Sequence, residues 1–393
     1  MVSVAPGVRA QEADVLPDVA DRYEGTGHHI GSFWLLPTLE TGVFYDSNPK
    51  GESSGAKGDF GLRASPRIEL QSDWQRHALK FMLAADHFSY LDQGSQSRTN
   101  FNGAVEGQID VFHDLVVLGG IKGGMFEDAV GSLKTDDLAA EPTEHQEFDA
   151  WTSVNKSFNR FSVSLGGAYH LYDYQDVNSI VGGIIDQDFR DGDSLETGGR
   201  ASFAFSPGYR VYGDFRYNWR YYDSGIGESD GWRALGGVEF EISQLLRGDI
   251  GAGYMEQYLD GGETGSGLSY HAGLTWNPSP LMTFKLDADR IIADSSVLGS
   301  PGMIEDRVGL RLDYELQRGL VLSPWATAAR NDYFNSNRTD MSYELGIRIE
   351  KVMNRYLSVG ANYVYTNTTI DDAAPGTDDF DRHMVGVYAK ARL

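Results

Sequence analysis

Ser269 and His271 stand two residues apart in the run Leu268-Ser269-Tyr270-His271. On an extended strand, residues i and i+2 point to one face, a geometry in which an imidazole can activate a serine hydroxyl. No carboxylate is forced by spacing to stand behind that imidazole, so coincidence is the better reading of the pair. His170, with Asp173 or Asp176 nearby, is equally thin evidence for a site. There is no Gly-x-Ser-x-Gly elbow, no His-Glu-x-x-His motif and no phosphate loop. The chain has no cysteine, which excludes thiol catalysis, thiolate metal sites and disulfides. Acidic groups such as Thr135-Asp136-Asp137, Asp186-Gln187-Asp188, Asp191-Gly192-Asp193 and the carboxylates of Asp371 to Asp379 offer hard oxygen ligands. None has the spacing of an EF-hand loop, and solvated surface charge explains them better. The chain reads as a non-enzyme without a cofactor or bound metal.

A different chemistry lies in the charges that recur at every second position. In Arg210 to Arg220, residues Val211, Gly213, Phe215, Tyr217 and Trp219 take one face, while Arg210, Tyr212, Asp214, Arg216, Asn218 and Arg220 take the other. A helix would scatter those charges around its circumference; a strand sorts them completely. Arg307 to Glu315 repeats the sorting, as do stretches around Arg63–Gln71, Trp232–Ile242, Tyr343–Glu350 and Leu357–Tyr365. The basic members of the polar face are Arg63, Arg67, Arg200, Arg210, Arg216, Arg220, Arg233, Arg247, Lys285, Arg307, Arg311, Arg348, Lys390 and Arg392. Its acidic members include Asp214, Glu239, Asp249, Asp287, Asp313 and Glu344. Such a wall either keeps a channel wet and tunes its selectivity, or cross-braces a closed lumen with ion pairs.

The elements that must carry these rows are strands joined alternately by short and longer connectors. The pattern counts to about eighteen antiparallel strands, an even number as single-chain bacterial barrels require. The last segment ends with Val385, Val387, Ala389, Ala391 and Leu393 on one face, as a strand closing a barrel would. So large a barrel cannot fill its interior with side chains, so its apolar face must look outward at lipid. Trp34, Tyr45, Tyr90, Trp151, Tyr169, Tyr222, Trp232, Tyr258, Trp276, Trp325 and Tyr365 fall near segment ends, where interfacial girdles belong. The connector carrying Ile180-Val181-Gly182-Gly183-Ile184-Ile185 is oddly apolar. It reads as a constriction, a docking surface or an added short strand pair.

Composition agrees. In 393 residues, 33 Lys and Arg face 57 Asp and Glu, a formal charge of −24 that repels nucleic acid. The polar-face charges nearly balance, so the excess acid belongs to loops and tails. Mean hydropathy is −0.37, and no apolar run approaches the roughly 18 residues of a spanning helix. The 47 glycines and 21 tyrosines suit a chain whose strands face lipid on one side and water on the other. Met1 to Ala10 reads as the remnant of an export signal, with Val8 and Ala10 before a cut at Gln11. Residues 11–31 read as a periplasmic lead-in or plug, and 32–393 as the barrel.

Phe33, Pro37 and Leu39, followed by Tyr45-Asp46-Ser47-Asn48, resemble the first-strand signature of the putative beta-barrel porin-2 family. The resemblance implies a Gram-negative outer-membrane barrel and a passage for surface polysaccharide export. It also implies outer-membrane lipid, lipopolysaccharide and a periplasmic export protein as partners. The C-terminal Leu393, where barrels commonly end in Phe, departs from the usual pattern. A general small-solute porin and a closed envelope scaffold are the alternatives.

Overall fold

The computed structural model describes residues 27–223, 228–243, 245–259, 262, 264–295, 297, 300–371 and 379–393. The export remnant and most of the lead-in lie outside the described residues. A short strand, β1 (His28–Ile30), precedes β2 (Phe33–Asp46), β3 (Asp59–Ser72), β4 (His77–Tyr90), β5 (Arg98–Phe112) and β6 (Leu115–Asp128). β7 (Thr143–Phe158) and β8 (Phe161–Tyr174) follow, then the two-residue strands β9 (Val177–Asn178) and β10 (Ile184–Ile185). Next come β11 (Gly192–Ser206), β12 (Tyr209–Tyr222), β13 (Ser229–Glu241), β14 (Leu246–Leu259), β15 (Thr264–Ser279) and β16 (Met282–Ala293). The chain ends with β17 (Met303–Gln317), β18 (Leu320–Tyr333), β19 (Thr339–Asn354), β20 (Leu357–Ile370) and β21 (Phe380–Arg392).

Eighteen of these, β2 to β8 and β11 to β21, pair antiparallel with their chain neighbours, and β2 also pairs with β21. The sheet is a closed barrel. At the seam Thr38 faces Arg392 and Asp46 faces Met384, so each of the eighteen barrel strands has two partners and the barrel has no open edge. Hairpin ends on one side are turns of two to four residues, some using left-handed backbone, as at Asn159 (φ 53°) and Gly208 (φ 76°).

The registers decide the faces. In β17, Val308 and Leu310 are directed outward with their cross-strand partners, and Leu310 is 54% exposed. The other parity carries Arg307, Arg311 and Asp313, with Asp313 only 1% exposed. That second face is the inner one, because its side chains reach strands that are not neighbours. Arg348 of β19 bonds Glu40 of β2 at 2.7 Å across two intervening strands. Glycine lets aromatic rings lie flat on this wall: a Cβ at Gly237 or Gly251 would collide with the Tyr212 ring.

The assigned girdle divides. Tyr45, Tyr169, Trp232, Tyr258, Trp276 and Tyr365 lie on the outward parity. Trp34, Tyr90, Trp151, Tyr222 and Trp325 share the inner parity instead. Nearness to a segment end does not choose a face; parity does.

Of the signature residues, Tyr45 to Asn48 build the outer end of the seam. Phe33, Pro37, Leu39 and Tyr45 lie along β2. Asp46, fully buried, accepts bonds from the Asn48 backbone N–H at 2.9 Å and the Tyr90 hydroxyl at 2.8 Å, with Arg382 Nε 3.7 Å away. Asn48 donates to the carbonyls of Glu52 and Asp381, and its own carbonyl accepts from Arg382. The motif fastens the first strand to the last.

Two outcomes test this account. Leu310→Arg should cost about 2–4 kcal/mol in urea unfolding of the liposome-folded barrel, whereas Arg307→Gln, on the wet face, should cost less than about 1 kcal/mol. Asp46→Ala, which strands Arg382 beside an emptied site, should lose about 3 kcal/mol in the same assay.

Candidate functional site: the inner wall and its mouth

All twenty charged residues picked out by alternation lie on the inner parity. They group into clusters along the wall. Asp214 holds Arg200 at 3.2 Å and Arg216 at 3.1 Å, Arg216 also takes Glu196 at 2.9 Å, and Arg200 takes Glu239 at 2.9 Å. Across the seam, Glu40 joins Arg348 at 2.7 Å and Arg63 at 3.5 Å, Arg63 continues to Asp86 at 2.8 Å, and Arg392 approaches Glu350 at 3.8 Å. Arg67 pairs with Glu69, and Lys390 lies opposite Glu40 and Ser358 in register. Around β15 to β18, Arg311 forks onto Asp313, which also accepts from Ser323, and Arg307 meets Glu305. Lys285 faces Arg311 and Asp287 faces Gly309. Glu344 accepts from the Trp325 indole at 2.6 Å. Arg210 and Arg247 have no ion-pair partner among the described residues, though each stands opposite a glutamate in register.

These ion pairs follow the wall. Among the described residues, the strand-to-strand ion pairs span at most three places around the barrel, as in Arg233 with Asp289 and Arg200 with Asp249. A lattice filling the lumen would join opposite walls. Eighteen strands at about 4.8 Å spacing and usual tilt enclose a ring roughly 35 Å across between backbones, wider than two facing arginines can close.

Ser269 is 1% exposed; its hydroxyl donates to the Arg290 carbonyl at 2.8 Å and accepts from Arg233 at 2.7 Å. His271 instead lies between Asp289 at 2.7 Å and Asp249 at 3.4 Å. The serine is committed to structure. His170 takes neither Asp173 nor Asp176 but Asp149, at 2.6 Å. Asp176, Asp186 and Asp188 do converge in a loop, with carboxylate oxygens within 4.8 Å of one another, all exposed.

The mouth holds what sequence reasoning missed. The connector 129–142 leaves between β6 and β7 and crosses to the far side, where Asp137 is forked by Arg338 at 2.5 and 2.8 Å in the β18–β19 turn. Arg338 also grips Asp340 at 2.7 Å. Burial opposes the Arg338 charge, but its hydrogen bonds to both carboxylates outweigh it and raise the guanidinium pKa above its ordinary value. The strap is tied along its length: Ala140 accepts from Gln96, Leu138 from the Ile180 backbone, and Val130 from Arg382. Val130 and Ala139 are buried. A second inward reach joins Asp294 to Arg220 at 3.0 Å and Tyr222 at 2.7 Å. Beside it Ile291, Ala293, Met303 and Tyr333 form a small apolar cluster.

The apolar connector forms the short β9–β10 pair and is tied to the strap through the Ala139–Ser179 bridge, while its tip is exposed, Val181 by 71%. Of the three readings of that connector, the added short strand pair is the one the structure shows. The strap 129–142 had one visible signal: fourteen residues in a fold of short connections mark a loop with a task.

No curated protein matches the chain. Among solved structures, it is similar to the siderophore receptor PirA from Acinetobacter baumannii at 8% identity, covering 91% of this chain and 80% of that one, TM-score 0.44. Pseudomonas aeruginosa OpdQ matches at 11% identity over 93% and 99%, TM-score 0.44. Acinetobacter baumannii OccAB1 matches at 10% over 95% and 99%, also at 0.44. Likenesses this distant carry no argument about solute. The family profile described as putative beta-barrel porin 2 matches residues 21–393, and the chain belongs to that family of porin-like outer-membrane β-barrels.

Proposed function

We propose that the protein is a strapped channel through which small hydrophilic solutes cross the outer membrane of a Gram-negative cell. The observation that carries this reading is the direction of the ion pairs, which run along the wall between near strands and leave the axis to water. The strap 129–142 narrows the outer mouth, and Arg338 fixes its far side. Lipid and lipopolysaccharide are the partners implied for the outward face. The polar wall carries both signs in near balance, so solute charge is a weak criterion and solute size a strong one.

Passage of surface polysaccharide, with a periplasmic export protein as partner, is the second reading. It rests on the family resemblance alone, and a polymer thread would have to displace the strap. The envelope scaffold needs a blocked lumen, which strand-to-strand pairs confined to the wall do not supply. A strain lacking the protein separates the first two: surface polymer should persist while uptake of small sugars falls. Loss of the polymer with unchanged uptake would favour export.

Arg338→Gln should release the strap and give larger, noisier conductance steps than the parent barrel in a planar bilayer. Unchanged steps would mean that 129–142 does not limit flow.

A further inference from the structure

Two tryptophans face each other across the lumen. Trp151 on β7 and Trp325 on β18 point inward near mid-height, with eight barrel strands between them in either direction. Each indole lies over a glycine of the adjacent strand. A Cβ on Gly346 would overlap the six-membered ring of Trp325, and one on Gly120 would stand 2.8 Å from Trp151 Nε1 and 3.0 Å from Cε2. A ring laid on bare backbone has one face against the wall and the other toward the lumen, and both residues are half-buried. Several other inner rings already carry a cation, with Arg200 4.1 Å over Tyr212 and Arg348 4.0 Å over Tyr388. Among the described residues neither tryptophan has such a partner.

The surroundings of the free faces define a ligand chemistry. Glu344 fixes the Trp325 indole through one carboxylate oxygen and keeps a second for acceptance. Beside Trp151, Glu106 lies across Gly120 in register, exposed and without an ion pair among the described residues. An aromatic face with carboxylate acceptors at its rim suits a pyranose ring. The C–H hydrogens of the sugar carry slight positive charge and meet the negative π face, while its hydroxyls donate to the carboxylates. An aromatic acid would be repelled by those carboxylates. An organic cation would meet Arg311, opposite Trp325 in register, and Lys122, beside Asp149 at 3.6 Å.

We propose that Trp151 and Trp325 are two sugar-ring platforms on opposite walls, at which a neutral oligosaccharide pauses in transit. This rests on the channel reading above and names its solute class.

The test is current blockade by maltohexaose in single channels, with polyethylene glycol of equal hydrodynamic size, choline and benzoate as comparison solutes. Parent channels should show sugar blockades whose residence time falls about tenfold in Trp151→Leu and in Trp325→Leu, and stays unchanged in Trp219→Leu on the outward face. The leucine side chain remains apolar, and the heat-modifiable gel shift confirms folding. Equal residence times in parent and double variant, polyethylene glycol blockades matching those of the sugar, or blockade by choline or benzoate alone would each overturn the platforms. A silent parent channel would instead sink the channel reading. The platforms are then read by tryptophan fluorescence of the detergent-folded barrel titrated with maltohexaose: a saturable change lost in the double variant supports them, and none in the parent overturns them.

Discussion

Everything in this molecule depends on the pairing of β2 with β21. Until the first strand meets the last, both carry a row of unpaired N–H and C=O groups that hydrocarbon cannot satisfy. Closure also gives the sheet an inside, and only then does alternation acquire a physical meaning. The seam is held by backbone pairing from Thr38 to Asp46 and by the buried Asp46–Tyr90–Asn48–Arg382 cluster at its outer end. Below it Glu40 ties Arg348 to Arg63 across the same joint. Tyr45, Asp46 and Asn48, at the outer end of that joint, help to close the ring.

The strands and their faces were legible because side chains alternate with a period of two, which neither turn length nor loop content disturbs. β12 and β17 could be sorted residue by residue from the sequence. The same rule would have placed Trp151 with Asp149, Ser153 and Asn155 on the inner face, and Trp325 with Ser323 and Thr327. Reading those aromatics by their distance from segment ends, as an interfacial girdle, overrode a stronger signal. The strap was not legible in the same sense. Its course depends on contacts between residues as far apart as Asp137 and Arg338, and no local periodicity encodes them. Hydrophobicity drew attention to Ile180–Ile185, whereas a polar loop made the crossing, because an aspartate can be caught by an arginine on the far rim.

The inner wall resolves a tension between wetness and order. Unpaired arginines on a wet wall would sweep a broad volume and bind anions without discrimination. Pairing them laterally, and laying Arg200 on Tyr212 and Arg348 on Tyr388, presses the long side chains against the barrel and clears its centre. The net charge of −24 is then a property of loops and tails more than of the path. What remains available along the path is a mixture of carboxylates, amides and two indole faces.

The central claim is that alternate residues of each strand look onto water and onto lipid. The chain has no cysteine, so single cysteines introduced one at a time along β17, from Ile304 to Leu316, report without background. Labelling by a charged, membrane-impermeant thiol reagent in folded liposome-embedded protein should be strong at odd positions such as 307, 309 and 311 and weak at 308, 310 and 312. Reaction of the even positions in place of the odd, or labelling with no alternation, would contradict the account.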